Sequence, residues 1–180
     1  MDREQVALDY LENTAPSLTD LAKRIWDHPE IGLMEKHASD LIAGELERNG
    51  FSVTRGSAGI PTAFVASWGT GGPTIGILGE YDALPGLSQK VTPIREPVEE
   101  GAPGHACGHN LLGVASMGAA LAAKHAMEHC QIPGTIRYYG CPAEETLIGK
   151  VFMARAGVFN DLDAVLSWHP SCLNTAKRTV

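Results

Sequence analysis

The first part of the chain carries apolar residues at the spacing of an amphipathic helix. Within residues 6–26 these positions recur every three or four residues, which places them on one helical face. Pro16 interrupts the pattern, and Ser17 followed three residues later by Asp20 is a typical helix start. The pattern therefore predicts two helical pieces in this segment. Their apolar positions are Leu8, Leu11, Leu18, Leu21, Ile25 and Trp26.

A second amphipathic helix is predicted over residues 35–48. It stops before Gly50, which suits the left-handed position after a helix. The period then becomes extended: residues 51–55, 62–68 and 74–78 alternate or run apolar, with a glycine-rich turn between the last two. We expect these three segments to be neighbouring strands of one sheet.

The second half of the chain alternates helix and strand patterns. Residues 83–108 contain several prolines and glycines and predict a long irregular loop, which in a compact domain usually carries function. A helix of small residues follows at about 110–130, then a strand at 135–140, a helix near 147–156 and a strand at 164–167. This order predicts an α/β fold, with a mixed sheet and helices packed on both faces.

Composition narrows the class of protein. The 180 residues suffice for one domain with an apolar core, and a net charge of −7 without a basic cluster argues against a nucleic-acid partner. No secretory signal and no run of about 18 apolar residues is present, so we expect a cytoplasmic protein with no membrane partner. Cys107, Cys130, Cys141 and Cys172 are too sparse for a disulfide framework, so each is a core thiol or a ligand.

Candidate metal ligands follow the predicted strands, where ligands of open α/β sheets collect. Cys107 and His109 flank one glycine, so in an extended loop their side chains project to the same side. Glu145 and His169 follow later strands. Thiolate, imidazole and carboxylate are zinc-type ligands. A buried thiol, a helix-capping histidine and a solvated glutamate are the alternatives for each residue taken alone.

The adjacent Glu144 and Glu145 suit a division of work at a hydrolytic site. Their side chains diverge, so one can bind a metal while the other faces the attacking water as general base. A metal lowers the pKa of its bound water to about 7, which makes such a base effective. Asp82, at the end of the strand at 74–78, is either a turn former or a carboxylate that orients a metal-bound imidazole.

Two other patterns fail as sites. His125 and His129 have the spacing of a helical zinc pair, but Ala126 stands where a metalloprotease motif needs glutamate. Ser116 fails the G-x-S-x-G pattern of a nucleophile elbow, because Val114 and not glycine stands two places before it. We interpret the remaining cysteines as structural.

Four short segments together resemble the aminoacylase and carboxypeptidase-like dinuclear metallopeptidase family. They read GEYDALP at 79–85, GHACGHN at 104–110, PAEE at 142–145 and WHP at 168–170. The most similar branch is the aminobenzoyl-glutamate and indole-acetyl-amino-acid amidohydrolases. The resemblance spans nearly the whole chain and implies a zinc-peptidase-like catalytic domain with two divalent metal ions, Zn or Mn.

The resemblance also implies roles for individual residues. Glu144 would be the general base and Asp82 a support for the ligands. Two positions depart from the pattern: Glu80 stands where related peptidases have a metal-binding histidine, and Asn110 replaces a common aspartate. The metal ligands that it implies are Cys107, His109, Glu145 and His169.

Family members are longer than this chain, which sets an expectation about domains. They add a lid or dimerisation domain, complete the sheet and supply one more histidine ligand. The resemblance thus implies that residues 1–180 are the N-terminal part of the catalytic domain, with an open sheet edge. It also implies that these residues alone catalyse poorly.

We therefore expect an amidohydrolase that cleaves N-acyl or N-aroyl amino acids such as p-aminobenzoyl-glutamate. It would act as a homo-oligomer or with a homologous subunit. The alternative is a non-catalytic metal-binding subunit, or inactive fragment, that pairs with a homologous chain. A serine hydrolase is a third possibility, and a metal chelator would leave it active.

Overall fold

A computed structural model describes residues 2–171 and has the predicted α/β architecture. A mixed sheet carries helices on both faces. Short 3₁₀ turns cover Ser57–Gly59 and Glu144–Thr146. The helices are α1 Arg3–Trp26, α2 Lys36–Arg48, α3 His109–Cys130 and α4 Gly149–Arg155. The strands are β1 Ser52–Arg55, β2 Phe64–Thr70, β3 Thr74–Glu80, β4 Gly134–Cys141 and β5 Ala164–Leu166.

The predicted break in the first helix is wrong, because α1 runs as one helix of 24 residues through Pro16. A proline inside a helix removes one hydrogen bond and crowds the preceding turn. Tertiary packing offsets that cost: Leu11 and Leu18, before and after the proline, both lie against Gly118 of α3. The continuous helix places both leucines over the same glycine of α3.

The predicted order of the first three strands is also wrong in part. The sheet order is β1-β2-β4-β3-β5, so β4 lies between β2 and β3. β4 pairs antiparallel with β2 and parallel with β3, and β5 pairs parallel with β3. The glycine-rich turn after β2 therefore does not close a hairpin. It connects β2 to β3 across the position that β4 occupies in the sheet.

Successive residues of β4 are buried on opposite faces of the sheet, as expected for a strand that is covered on both sides. Tyr138 packs in the larger core, formed with α1, α2 and α3, and Tyr139 packs in a smaller core with Met153 of α4. Within residues 2–171, no helix is long and apolar enough to cross a membrane.

Candidate metal centre

The candidate ligands lie at one edge of the sheet. β3, β4 and β5 run parallel to one another, so their carboxyl ends meet at the same edge. Asp82 follows β3, Glu144 and Glu145 follow β4, and His169 follows β5. The amino end of α3, which begins at His109, points to the same place.

Three of the predicted ligands come together in one cluster. One donor atom each of Cys107, His109 and His169 lies within 4.8 Å of the other two. Cys107 Sγ is 3.3 Å from His169 Nε2, while His169 Nδ1 lies 2.9 Å from the Pro170 carbonyl oxygen. The backbone carbonyl thus holds the ring with Nε2 directed at the thiol.

The local geometry around Cys107 differs from the extended loop that we expected. Gly108 adopts left-handed angles (φ 78°, ψ 21°), and His109 is already the first residue of α3. A Cβ atom at position 108 would lie 3.2 Å from Pro170 Cγ. The turn at Gly108, rather than alternation along a strand, brings the Cys107 and His109 side chains together beside the segment that carries His169.

Asp82 joins two of the other site residues. Its side chain is fully buried, with Oδ1 2.8 Å from His109 Nδ1. Its other oxygen accepts a hydrogen bond of 2.9 Å from the Glu145 backbone N–H. When Asp82 accepts a hydrogen bond from His109 Nδ1, the lone pair of the neutral ring lies on Nε2. This is the arrangement that a metal-binding imidazole requires.

Three carboxylates surround His109 Nε2. It lies 3.2 Å from Glu80 Oε2, 3.8 Å from Glu144 Oε2 and 3.9 Å from Glu145 Oε1. Donor atoms of Glu80, His109 and Glu144 form a second group within 4.8 Å of one another. Both glutamates that follow β4 therefore reach the site, and distance alone does not separate their roles.

The donor set fits a divalent cation on the evidence of its buried, unpaired atoms. Among the described residues, Glu80 Oε2, His109 Nε2 and Glu145 Oε1 are buried and have no hydrogen-bond partner. Such atoms are costly unless a proton or a metal satisfies them. Nitrogen, oxygen and thiol donors in one place are the ligand types that zinc-class ions accept.

Negative charge dominates the electrostatics of the cluster. Burial, together with the Glu145 carboxylate, raises the pKa of the Cys107 thiol to about 11. Burial lowers the pKa of His109, but Asp82 and the nearby glutamates raise it more, so the net direction is upward. The nearby carboxylates contribute to both shifts in the direction that favours positive charge at the site. A metal that bound the Cys107 thiolate would displace its proton, so the affinity for such a metal would increase with pH.

Sequence reasoning missed several residues that shape the site. Buried Glu35 accepts a hydrogen bond of 2.7 Å from the Ala143 N–H and so fixes the turn before Glu144. Lys150 binds Glu80, which we had noted only as a departure from a family pattern. Neither residue has a motif of its own. The one available signal was that Lys150 is a charged residue within an otherwise apolar stretch.

The patterns rejected as sites lie elsewhere. His125 and His129 stack on each other at 6.2 Å in the last turns of α3, outside both clusters of possible ligands in the described part of the chain. Cys141 is buried, and Cys107, Cys130 and Cys141 are unpaired thiols. Cys172 lies outside the described residues.

Known proteins resemble this chain in sequence. One of the subunits of p-aminobenzoyl-glutamate hydrolase from Escherichia coli (strain K12) is 50% identical over 163 residues, which cover 90% of this chain and 34% of that protein. Xaa-Arg dipeptidase of Mus musculus is 35% identical over 187 residues, covering 94% and 38%. The chain thus spans about a third of the length of these curated relatives.

Solved structures share the fold, and a family profile matches the sequence. A dinuclear metal-binding peptidase of the M20 family from Bacillus subtilis superposes with a TM-score of 0.75 at 26% identity, over 89% of this chain and 44% of that chain. The profile of peptidase family M20/M25/M40 matches residues 76–179, which span the whole candidate site. The match covers more than half of the chain and confirms the resemblance seen in the motifs, so the chain belongs to peptidase family M20/M25/M40.

Proposed function

We propose that the protein is a metal-dependent amidohydrolase that cleaves N-acyl or N-aroyl amino acids such as p-aminobenzoyl-glutamate. The observation that carries the proposal is the convergence of Cys107, His109 and His169 with buried carboxylates at one sheet edge. Family membership supports hydrolysis of an amide bond, and 50% identity to the E. coli p-aminobenzoyl-glutamate hydrolase chain supports the substrate class.

The site would hold two divalent ions, Zn or Mn. When bound, the ions would acidify a water molecule and polarise the scissile carbonyl. The B. subtilis structural neighbour is described as a dinuclear metal-binding peptidase, which supports this number of ions. Asp82 keeps the His109 proton on Nδ1 and so leaves Nε2 free to bind. The proposed ligands are Cys107, His109, Glu145 and His169.

Glu144 is the proposed general base. Its side chain is 32% exposed, compared with 20% for Glu145, so it is the glutamate that a substrate reaches more easily. Its carboxylate takes a proton from water as the water oxygen bonds to the carbonyl carbon. The proton then passes to the leaving nitrogen as the C–N bond breaks, which gives a carboxylate and a free amine.

A non-catalytic subunit is the second candidate. The E. coli relative is called a subunit, which favours an assembly of homologous chains in which this one could bind metal without turnover. Activity of the purified chain, and of any longer gene product that contains it, separates the two candidates.

The test is release of p-aminobenzoate from p-aminobenzoyl-glutamate in saturating Mn or Zn. We expect chelator-sensitive release by the longest form, slow release by the 180-residue chain, and loss of release in Glu144→Gln. Hydrolysis that persists in a chelator would overturn the metal mechanism. Tight metal binding without hydrolysis of any N-acyl amino acid by any form would favour the second candidate, a non-catalytic subunit.

A further inference from the structure

Glu80 is a buried carboxylate without a role in the mechanism above. It ends β3, where it pairs in register with Cys141 of β4, and its side chain is 7% exposed. One oxygen, Oε1, lies 2.5 Å from Lys150 Nζ. The other, Oε2, has no hydrogen-bond partner among the described residues. A buried charge with one oxygen unsatisfied is costly unless something else binds it.

The unsatisfied oxygen faces the unsatisfied nitrogen of His109. Glu80 Oε2 and His109 Nε2 are 3.2 Å apart, and neither has a hydrogen-bond partner in residues 2–171. When the His109 ring is neutral with its proton on Nδ1, both facing atoms are electron-pair donors. Two such donors at this distance are satisfied by a proton shared between them or by a metal ion bound to both.

The spacing suits two ligands of one metal ion. Nitrogen and oxygen ligands lie about 2.0–2.2 Å from zinc, so two of them on one ion are about 3 to 3.5 Å apart. The separation of 3.2 Å falls in this range. Glu144 belongs to the same group of donors, whereas Cys107 and His169 share only His109 with it. His109 is therefore common to both groups.

Lys150 controls where the Glu80 carboxylate points. It is the second residue of α4, and the helix starts against the backbone that leaves β4: a Cβ atom at Gly149 would lie 1.8 Å from the Pro142 carbonyl oxygen. This close approach brings Lys150 over Glu80. The Lys150 ammonium binds Oε1 of Glu80 and offsets the negative charge of that carboxylate. Oε2 is left directed at His109.

We propose that Glu80 is a metal ligand, sharing an ion with His109, and that Lys150 is the residue that positions it. The inference rests on the proposed function in that it needs a divalent metal at this site. It adds a carboxylate to the four proposed ligands. It also makes α4 part of the metal centre.

The test is titration of the metal-free 180-residue protein with Co²⁺, with affinity and stoichiometry from calorimetry and visible absorption. We expect Glu80→Gln to weaken the binding of one ion at least tenfold while the near-ultraviolet thiolate band from Cys107 remains. Lys150→Met should weaken the binding of the same ion by a smaller factor. Glu128→Gln is the matched control, because Glu128 pairs with Lys124 on the surface of α3.

The double variant Glu80→Gln/Lys150→Met separates positioning from stability. It removes both partners of the ion pair, so it leaves no lone buried charge that would unfold the protein. If Lys150 acts through Glu80, the double variant binds Co²⁺ as Glu80→Gln does. Additive losses would overturn the positioning role. Unchanged affinity and stoichiometry in Glu80→Gln would overturn the inference alone, whereas absence of Co²⁺ binding by the unaltered protein, in its longest form as well, would overturn the proposed function too.

Discussion

At the scale of single residues, the adjacent glutamates after β4 present the sharpest division of roles. The Glu145 backbone N–H is held by Asp82, and its Oε1 is buried and unpaired, which suits a fixed ligand. Glu144 is the more exposed of the two. Glu144→Gln should keep its metal and lose about 10²- to 10⁴-fold in turnover, roughly 3 to 5 kcal/mol of barrier.

Glu145→Ala should lose metal as well as turnover, because it removes a ligand. Metal content by mass spectrometry and steady-state hydrolysis of p-aminobenzoyl-glutamate, in the longest active form, distinguish the two variants. Equal metal loss in both would show that the roles are assigned wrongly.

Asp82 gives a second residue-scale prediction. Asp82→Asn keeps the size of the side chain but replaces one acceptor by an amide, so the His109 ring loses the partner that fixes its proton on Nδ1. Changes of this kind behind a ligand usually cost about 10- to 100-fold in metal affinity. Zn²⁺ competition titration measures the loss. Asp40→Asn, at an exposed aspartate of α2, is the control that should bind normally.

The sequence indicated the residues with motifs and missed those without. Cys107, His109 and His169 stand out because their side chains are rare and lie at junctions between predicted elements. Glu80 and Lys150 meet across 70 residues, and nothing in either local sequence records that the start of α4 lies over the end of β3. A contact of this kind is a property of the packed fold.

At the scale of elements, α3 approaches β3 so closely that only glycine fits between them. A Cβ atom at Gly113 would lie 2.6 Å from the Glu80 carbonyl oxygen. Gly113→Ala should push α3 away from β3, lower the free energy of unfolding by about 1 to 3 kcal/mol and weaken metal binding, because His109 moves with α3.

Gly44→Ala is the matched control for that prediction. Gly44 lies in α2, where an added Cβ would meet only Arg48 Nη1, at 3.5 Å. Alanine should stabilise this helix by up to about 1 kcal/mol and leave metal binding unchanged. Urea unfolding and Co²⁺ titration of both variants are the measurements. Normal metal affinity in Gly113→Ala would contradict the link between helix packing and the site.

Periodicity predicted the existence of the elements better than their arrangement. The spacing of apolar residues is a local property, so it located α2, α3 and all five strands to within a few residues. The course of α1 through Pro16 depends on Leu11 and Leu18 packing over Gly118, a contact between distant parts of the chain. The position of β4 between two earlier strands is equally non-local.

At the scale of the whole molecule, buried Glu35 makes stability depend on pH. Burial raises the pKa of its carboxyl above the ordinary 4.5, and hydrogen bonds from Ala143 and Thr62 offset part of the rise. The folded state therefore binds this proton more tightly than the unfolded state. The stability that Glu35 contributes is fully present below the pKa that its carboxyl has in the unfolded chain. It is lost as pH rises through the higher pKa of the folded state.

Glu35→Gln tests this sign, because glutamine cannot lose a proton. The free energy of unfolding of the unaltered protein, relative to that of the variant, should fall as pH rises from about 4.5 through the raised pKa. Urea unfolding at a series of pH values measures it. Glu12→Gln, on the exposed face of α1, is the matched control. A difference that does not change with pH for Glu35→Gln would mean that its pKa is the same in both states.

The insertion of β4 between β2 and β3 also sets an order of events during synthesis. Phe64 and Thr74 come early in the chain, but their strands meet only through residues 134–141, which come late. Until then both strands present bare edges, the kind of surface that mispairs and that chaperones protect. Glu144 comes soon after β4 in the chain, so the metal centre cannot assemble before β4 has joined the sheet. A nascent chain short of this strand has neither a finished sheet nor a place to hold an ion.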